Sequence, residues 1–196
     1  SQLAKAWLSS CNPRSCGERS DSLGRVGSVS ESESAETLMP PDEPSYRTVL
    51  GHFATGVTII TAMDGNEPIG VSANSFSSVS LDPPLVLFCA SKDSSTWPRI
   101  EAAGKFTVNI LNEHQEDVCR VFATKGADRF SRIGWRPSAG GSPILHDVLA
   151  YIDCTIRDQH DAGDHLIVVG LVQELGVLGD EGPLIFYRGG YGHFDS

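Results

Sequence analysis

The chain has 196 residues with a formal net charge of −10, and 40% of them are hydrophobic, which suits one globular domain with an added tail. The acidic excess argues against non-specific binding to nucleic acid or anionic membranes, because both need clustered lysine and arginine. We expect neither a membrane span nor a signal peptide, since no apolar run is long enough. The five cysteines, an odd number, indicate reduced thiols and a cytoplasmic protein.

The first 43 residues differ in composition from the rest. They are dominated by Ser, Glu, Gly and Arg, and the segment SVSESESAE shows no apolar periodicity. We therefore expect a polar, flexible N-terminal extension over residues 1–43 and one folded domain over residues 44–196. The domain should open with a short amphipathic helix, capped by Ser45 and ended near Gly56, whose apolar positions are Tyr46, Val49, Leu50 and Phe53.

The folded domain is rich in short β-type segments joined by turn residues. A first hairpin is predicted around Asp64-Gly65-Asn66, and a longer one around Asp161 to Asp164. One helix should end at Gly104, and the pair Asn112 and Gln115 should open another. Strands are expected at residues 57–62, 68–76, 85–90, 106–111, 150–156, 165–172 and 184–187. Many strands, few helices and short links predict a mainly β fold, an antiparallel barrel with helices packed outside.

Two runs of small polar residues flank the apolar strand expected at Leu85 to Ala90. The first consists of Ser72, Asn74, Ser75, Ser77, Ser78 and Ser80, and the second of Ser91, Lys92, Ser94, Ser95 and Thr96. Small side chains leave backbone N–H groups within reach of a ligand, and hydroxyls both donate and accept hydrogen bonds. Ser95 or Thr96 can cap the following helix, whose N-terminus beside Lys92 would suit a phosphate. The alternative is that both runs are solvated loops or strand edges.

Two further segments carry charged side chains that suit ligands. Arg129, in the loop FATKGADRF with Lys125, could grip a phosphate through two parallel bonds, or it could be an ordinary surface arginine. The cluster from His160 to His165 contains two His and two Asp, which could ligate a metal. Because neighbouring side chains of a strand point to opposite faces, a tight turn is the better interpretation, and we expect no metal site. His165 alone, at the start of a strand, is the stronger candidate for ligand contact.

Several motifs, in order along the chain, resemble the flavin reductase family, the small reductase components of two-component flavin-dependent monooxygenases. They are FATGVTIIT, GVSANSFSSVSLDPPLVLFCASKDSST, FTVNIL, FATKGADRF, the GDH at Gly163 to His165, and LIFYRGGY, and they cover about Tyr46 to Phe194. The resemblance implies an FMN-binding split β-barrel, a homodimer, and hydride transfer from NADH or NADPH to FMN or FAD. It also implies an oxygenase partner that receives the reduced flavin.

The resemblance further implies which residues hold the cofactors. Lys125 or Arg129 would lie near the flavin phosphate, and His165, the one candidate catalytic residue, would face the nicotinamide. The segment that approaches the flavin ring would be Thr55, Gly56 and Val57. The residues that line the flavin would be Ser72, Ala73, Asn74, Ser75, Phe76, Ser77 and Ser78. The residues that hold its phosphate would be Ser91, Lys92, Ser95 and Thr96, and Ala90 beside them would also bind the cofactor.

Two other functions stay open at the level of sequence. The same barrel could be a non-enzymatic flavin or haem binder, or the segment His160 to His165 could serve a metal hydrolase. Oxidation of NADH on addition of free flavin separates the reductase from the non-enzymatic binder, and metal analysis with chelator sensitivity tests the metal hydrolase. The choice between FMN and FAD, and between NADH and NADPH, does not follow from the residues.

Overall fold

The computed structural model describes residues 41–124 and 126–194. The extension predicted over residues 1–43 falls outside this range except for its last three residues, and Lys125 falls outside it as well. The described helices are α1 (Glu43–Leu50), α2 (Trp97–Ala103) and α3 (Glu116–Ala123). The described strands are β1 (Thr55–Gly56), β2 (Thr58–Asp64), β3 (Glu67–Ala73), β4 (Ser77–Leu81), β5 (Pro84–Ser91), β6 (Lys105–Ile110), β7 (Trp135–Pro137), β8 (Pro143–Leu145), β9 (Ala150–Ala162), β10 (His165–Val177), β11 (Ile185–Tyr187) and β12 (Gly190–Gly192).

The seven longest strands form one antiparallel sheet in the order β3-β2-β6-β9-β10-β5-β4. Its two edge strands, β3 and β4, follow each other in the chain and are joined only by residues 74–76. A link of three residues forces the two edges of the sheet towards each other. The sheet therefore curls into an open barrel whose split lies between β3 and β4. This confirms the predicted antiparallel split barrel.

Apolar residues from nearly every strand of the sheet meet in one core inside the barrel. They include Ile60 of β2, Phe88 of β5, Phe106 of β6 and Val168 of β10, each at most 1% exposed. Helix α2 closes one end through Trp97 and Ile100. A second core lies between the sheet and α3, and its members are Val57, Ile59, Leu111, Cys119, Phe122, Ile144, Leu145, Val148, Tyr151 and Leu184.

The long hairpin of β9 and β10 forms the back of the barrel. Its strands pair from Ala162 opposite His165 to Ala150 opposite Val177, with register shifts on both sides of the stretch Gly170 to Val172. A Cβ at Gly170 would lie only 2.6 Å from the Phe106 ring. Because β10 packs this closely against a core ring, the position requires glycine. The hairpin predicted from the turn at residues 161–164 is confirmed.

Three details of the predicted elements were wrong. The first helix starts at Glu43 and is capped by Asp42, which accepts a hydrogen bond from the Ser45 N–H at 3.1 Å, and it ends at Leu50 with Gly51 as its C-cap. The first polar run is interrupted by an edge strand, β4, that was not predicted. The bond from the Asn112 N–H to Gln115 Oε1 forms as expected, but it closes the turn before α3, which starts at Glu116.

Candidate functional site

The first polar run lies at the split of the barrel, because it includes the end of β3, the link to β4 and β4 itself. We call residues 72–77 the crossing. The hydroxyl of Ser75 accepts a hydrogen bond from the Cys89 N–H of β5 at 2.9 Å, and Thr58 donates to the Ala73 carbonyl at 2.7 Å. These two bonds fix the backbone on either side of Asn74. The first polar run therefore consists of the end of β3, the link and the edge strand β4. Part of it is a strand edge, as one interpretation predicted, and part of it is placed where it could line a ligand, as the other predicted.

The two polar runs meet in a cavity of about 220 Å³, which we call the His165 cavity. His165 pairs with Ser91 across β10 and β5, so the histidine lies beside the end of the apolar strand. The cavity is lined by Val71, Ser72, Ala73, Asn74, Ser75, Phe88, Cys89, Ala90, Ser91, Ser94, Trp97 and His165. The structure therefore brings together residues separated by up to 94 positions in sequence, including the predicted Ser72 to Ser75, Ala90, Ser91 and His165.

His165 is held at the cavity by a neighbouring carboxylate. Its Nδ1 lies 2.8 Å from Asp164 Oδ1, and 42% of its side chain is exposed. The hydrogen bond and charge of His165 lower the pKa of Asp164. A carboxylate on Nδ1 fixes the ring orientation and leaves Nε2 for a ligand.

A second cavity of about 310 Å³, the Arg129 cavity, lies on the other side of Ser72. It is lined by Val71, Ser72, Asp93, Ser94, Ser95, Thr96, Phe122, Ala123 and Arg129. Ser72 therefore forms part of the wall of both cavities. The hydroxyls of Ser94 to Thr96 and one guanidinium make this the cavity best suited to an anion.

Arg129 is fastened to three separate elements. Its Nη1 donates to the Gly70 carbonyl at 2.7 Å and to Thr96 Oγ1 at 2.8 Å, and its Nη2 donates to the Thr124 carbonyl at 3.2 Å. Its Nε is buried and has no hydrogen-bond partner among residues 41–124 and 126–194, and burial lowers the pKa of the guanidinium. An anionic oxygen beside Nε would satisfy the donor and offset the cost of the buried charge.

The start of α2 differs from the predicted cap. Thr96 is the N-cap residue, but its side chain makes no capping bond. The hydroxyl of Ser94 instead accepts from the N–H groups of Thr96 and Trp97, at 3.3 and 3.2 Å. The N–H groups of Thr96 and Trp97, which we expected to face a phosphate, are thus already bonded to Ser94. The hydroxyl of Thr96 accepts a hydrogen bond from Arg129.

Lys92 is bonded to the tip of the β9–β10 hairpin. Its Nζ donates to Asp161 Oδ2 at 2.7 Å and to the Gly163 carbonyl at 2.6 Å, and its N–H donates to the Asp164 carbonyl at 3.0 Å. Lys92 lines neither of the two cavities. A role in phosphate binding would require its ammonium to leave Asp161.

Two more cavities extend from the same crossing. The Tyr191 cavity, about 180 Å³, is lined by Val57, Ser72, Ala73, Asn74, Cys119, Phe186 and Tyr191. The Phe53 cavity, about 720 Å³, is lined by Tyr46, Arg47, Leu50, Gly51, Phe53, Thr55, Asn74, Ser75, Phe76, Ser77, Phe186 and Gly189. Of the predicted site residues, Gly56, Ser78 and Lys92 line none of these four cavities, and Lys125 is outside the described residues.

Sequence reasoning missed several residues that line the site. The thiol of Cys119 lies 3.2 Å from the hydroxyl of Tyr191, and burial together with this contact raises the pKa of Tyr191 to about 12. Phe186 and Trp97 were not predicted either. The motif LIFYRGGY contained two of these residues, but nothing local in it indicates that the C-terminal strands cover the crossing.

Three of the four buried side-chain polar atoms that lack a partner among the described residues lie on residues that line these cavities. They are Thr55 Oγ1, Trp97 Nε1 and Arg129 Nε. Buried polar groups are nearly always hydrogen-bonded in native proteins. Their concentration here fits a polar ligand that fills the split of the barrel.

The turn from His160 to His165 does not assemble a metal site within the described part of the chain. Asp161 is paired with Lys92, and Asp164 is paired with His165. No group of three or more His, Cys, Asp or Glu side chains able to hold a metal ion occurs among residues 41–124 and 126–194. None of the helices described in the structure has the length and apolarity needed to cross a bilayer.

Comparisons with known proteins show which sequences and structures this chain is similar to. Residues 50–195 match the family model described as flavin reductase like domain. The chain is 49% identical over 152 residues to the reductase subunit HsaB of a flavin-dependent monooxygenase from Mycobacterium tuberculosis, covering 76% of this chain and 81% of that protein. The crystal structure of nitrilotriacetate monooxygenase component B from Mycobacterium thermoresistibile has a TM-score of 0.76 and 49% identity, over 78% of this chain and 87% of that chain. An NADH:FAD oxidoreductase from Streptomyces globisporus, solved in complex with NAD and FAD fragments, has a TM-score of 0.76 and 37% identity, over 82% of this chain and 98% of that chain.

Proposed function

This chain belongs to the flavin reductase-like family, and from that premise we propose how its own residues serve an NAD(P)H:flavin oxidoreductase. The protein is an NAD(P)H-dependent flavin reductase, the reductase component of a two-component monooxygenase, as the sequence motifs indicated. A flavin and a nicotinamide nucleotide are its cofactors. We propose that the flavin occupies the split between β3 and β4. The observation that carries this proposal is that four cavities share residues of the crossing at residues 72–77. His165 lines one of these cavities, and three buried polar atoms without a partner among the described residues belong to residues that line them.

The two cofactors supply the chemistry, the donation of a hydride by the nicotinamide and its acceptance by the flavin, and the protein supplies placement and electrostatics. Small residues at Ser72, Ala73 and Ser75 let a flat ring approach the backbone of the crossing. The hydroxyls of Ser95 and Thr96 with the guanidinium of Arg129 bind the phosphate. This arrangement explains why no nucleophile or metal is needed at the crossing.

His165 is proposed to orient the nicotinamide. Its ring lines the cavity that both polar runs share, and Asp164 holds Nδ1. The free Nε2 can bond to a carboxamide or exclude water from the reacting rings. Because hydride transfer needs no proton from the protein, the role is binding and orientation rather than acid catalysis.

We propose that the active form is a homodimer joined through α1. None of the eight residues of α1 is buried, although Tyr46, Val49 and Leu50 are apolar and lie on one face. A helix of this length is marginal on its own, so its apolar face calls for a covering surface. A second copy is the partner proposed, because the face borders the Phe53 cavity and hence the flavin crossing.

We further propose that the flavin-binding unit is residues 44–196 and that the protein is cytoplasmic. Support for the compartment comes from Cys89, Cys119 and Cys154, which are unpaired thiols in the described part of the chain. We also propose that the reduced flavin reaches the partner oxygenase by diffusion, since the split of the barrel is open to solvent.

The decisive experiment is oxidation of NADH and of NADPH, followed at constant protein concentration, with FMN and FAD added in turn. We expect turnover that depends on both a nicotinamide nucleotide and free flavin. Binding of flavin without any oxidation of either nucleotide would indicate a non-enzymatic flavin binder. Turnover unaffected by added flavin but abolished by a chelator would indicate metal chemistry instead.

A further inference from the structure

The tip of the β9–β10 hairpin, residues 161–165, carries His165 but has little packing of its own. Every residue from 157 to 164 is exposed, whereas the earlier part of β9 contributes to both cores. Gly163, with a φ of +70°, and Asp164 form a turn of two residues just before His165. Because apolar burial does not fix this tip, its position depends on backbone pairing and on polar bonds from neighbouring elements.

Lys92, the first residue after β5, supplies such bonds. Its ammonium lies 2.7 Å from Asp161 Oδ2 and 2.6 Å from the Gly163 carbonyl oxygen, so one side chain bonds to both sides of the bend. Its N–H donates to the Asp164 carbonyl at 3.0 Å and so extends the pairing of β5 with β10 by one bond. All three bonds end on residues that immediately precede His165.

The ion pair of Lys92 with Asp161 is too exposed to matter much for global stability. The exposed fractions of the two side chains are 37% and 76%, and a pair this open to solvent contributes little to the free energy of unfolding. Lys92 also acts on the carboxylate that holds His165. The pKa of Asp164 is lowered mainly by the hydrogen bond and charge of His165, and to a smaller degree by the charge of Lys92.

We propose that Lys92 is a positioning residue of the reductase, which holds the hairpin tip so that His165 faces the nicotinamide, and that it does not bind the flavin phosphate. The inference rests on the role of His165 proposed above. Lys92 lines neither the His165 cavity nor the Arg129 cavity, so its effect on the reaction passes through the tip. A displacement of about 1 Å at an orienting group can slow a reaction by about two orders of magnitude, so a small shift of the tip is sufficient.

The first test is Lys92→Met, which keeps an unbranched side chain and removes the charge. Pre-bound FMN is reduced with NADH in a stopped-flow instrument, and the Kd values for FMN and riboflavin and a thermal melt are measured on the same samples. We expect the KM for NADH to rise and reduction to slow about fivefold or more, because the ring of His165 is no longer held in place. Both flavin Kd values should change by less than about twofold.

Arg99→Met is the matched control. Arg99 is bonded to Asp64 and Glu67, with N–O distances of 2.6 Å, and these two carboxylates flank the turn of the β2–β3 hairpin. Arg99 therefore fastens a hairpin tip as Lys92 does, but it lines neither the His165 cavity nor the Arg129 cavity. Arg99→Met should leave the reduction of bound flavin unchanged. Equal slowing in the two variants would overturn the specific role of Lys92.

Asp161→Asn separates positioning from phosphate binding, because the two roles predict effects of opposite sign. The variant weakens the bond to the tip and leaves the ammonium of Lys92 available to an anion. If Lys92 positions His165, reduction slows, though less than in Lys92→Met because the bond to the Gly163 carbonyl persists. Tighter binding of FMN but not of riboflavin, with normal reduction, would show that Lys92 is a phosphate ligand and that the inference is wrong.

A hydride donor without phosphate gives a further distinction. N-benzyl dihydronicotinamide retains the carboxamide but lacks the pyrophosphate and adenosine of NADH. Lys92→Met should slow reduction by both donors to the same degree. A loss confined to NADH would mean that Lys92 binds the pyrophosphate of the nucleotide, and the positioning role would be rejected.

The double variant with His165→Ala tests the path of the effect. If Lys92 acts through His165, Lys92→Met should slow reduction by less than about twofold further when His165 is already absent. Additive losses would overturn the inference. A normal rate in His165→Ala alone would remove the proposed role of His165 and this inference with it, whereas a slow His165→Ala beside a normal Lys92→Met would remove this inference only. Failure of the wild type to reduce flavin with either nucleotide would instead refute the proposed function.

Discussion

At the scale of single residues, Arg129 is the side chain on which phosphate binding most depends. It joins β3, the start of α2 and the end of α3, and its Nε has no partner among the described residues. We expect Arg129→Gln to weaken FMN binding by about 1.5–3 kcal/mol, because a charge-assisted bond to the phosphate is lost. Riboflavin, which lacks the phosphate, should lose little.

The matched variant for this prediction is Lys92→Ala, the other cation predicted from the second polar run. Since Lys92 Nζ is bonded to Asp161 and Gly163, its loss should reduce FMN affinity less than the loss of Arg129. Flavin titrations with FMN and riboflavin, together with a thermal melt of each variant, measure this. A larger phosphate-specific loss for Lys92 would return the phosphate to the position first predicted from sequence.

His165 is the second residue whose role can be isolated. His165→Ala should raise the KM for NADH and slow reduction of bound flavin about tenfold or more, a loss of about 1.4 kcal/mol in transition-state binding, with flavin affinity nearly unchanged. Stopped-flow reduction of pre-bound flavin and a thermal melt of the same sample give both readings. Normal reduction kinetics with a lowered melting temperature would mean that His165 only stabilises the hairpin turn through Asp164.

At the scale of elements, α1 is the helix whose sequence and burial disagree most. Leu50 is 52% exposed and Phe53, just beyond the helix, is 75% exposed, so the amphipathic pattern finds no core within the described chain. Replacing both by Glu should convert a dimer of about twice the chain mass to a monomer, measured by light scattering at micromolar concentration. Val177→Glu, at an apolar position 81% exposed on β10, should leave the mass unchanged.

The elements also show how far sequence reasoning reaches. The long strands and the hairpin turns were predicted because alternation and turn residues such as Gly65 are local signals, whereas β1, β4, β7, β8 and β12 were not predicted. The two polar runs are a local signal as well, and the proposed ligand face rests on them. The capping partner of α2 was missed because Ser94, Ser95 and Thr96 are chemically equivalent until the backbone is known. The bond from Lys92 to Asp161 spans 69 positions, and the contact of Cys119 with Tyr191 spans 72, so neither had a local signal.

At the scale of the whole molecule, the folded unit should be independent of the N-terminal extension. A chain that starts at Met39 retains Asp42, the cap of α1, and every residue of the barrel. We expect it to keep the melting temperature and the flavin affinity of the full chain. A clear loss of either in the shortened chain would show that residues 1–38 contribute to the fold or to the site.

Alkaline stability is a second property of the whole molecule. Burial, with a smaller contribution from the charge of Asp153, raises the pKa of Cys154 from 9.0 to about 12. The unfolded chain loses this proton from about pH 9 while the folded protein keeps it, so the free energy of unfolding falls as pH rises towards 12, by up to about 1.4 kcal/mol per pH unit. Urea unfolding at increasing pH should show a shallower fall for Cys154→Ala, and an unchanged slope would contradict the assignment.

The apolar face of α1 has a consequence for the solvent conditions under which the protein is studied. The chain carries a formal net charge of −10, so two copies repel each other. This repulsion acts at longer range than the attraction between the apolar faces, which requires contact. Added salt shortens that repulsion to about 8–10 Å at ordinary laboratory strength. The affinity of the two copies for each other through α1 should therefore rise with ionic strength. If the second copy contributes to the flavin site at the crossing, the apparent affinity for flavin should rise with it.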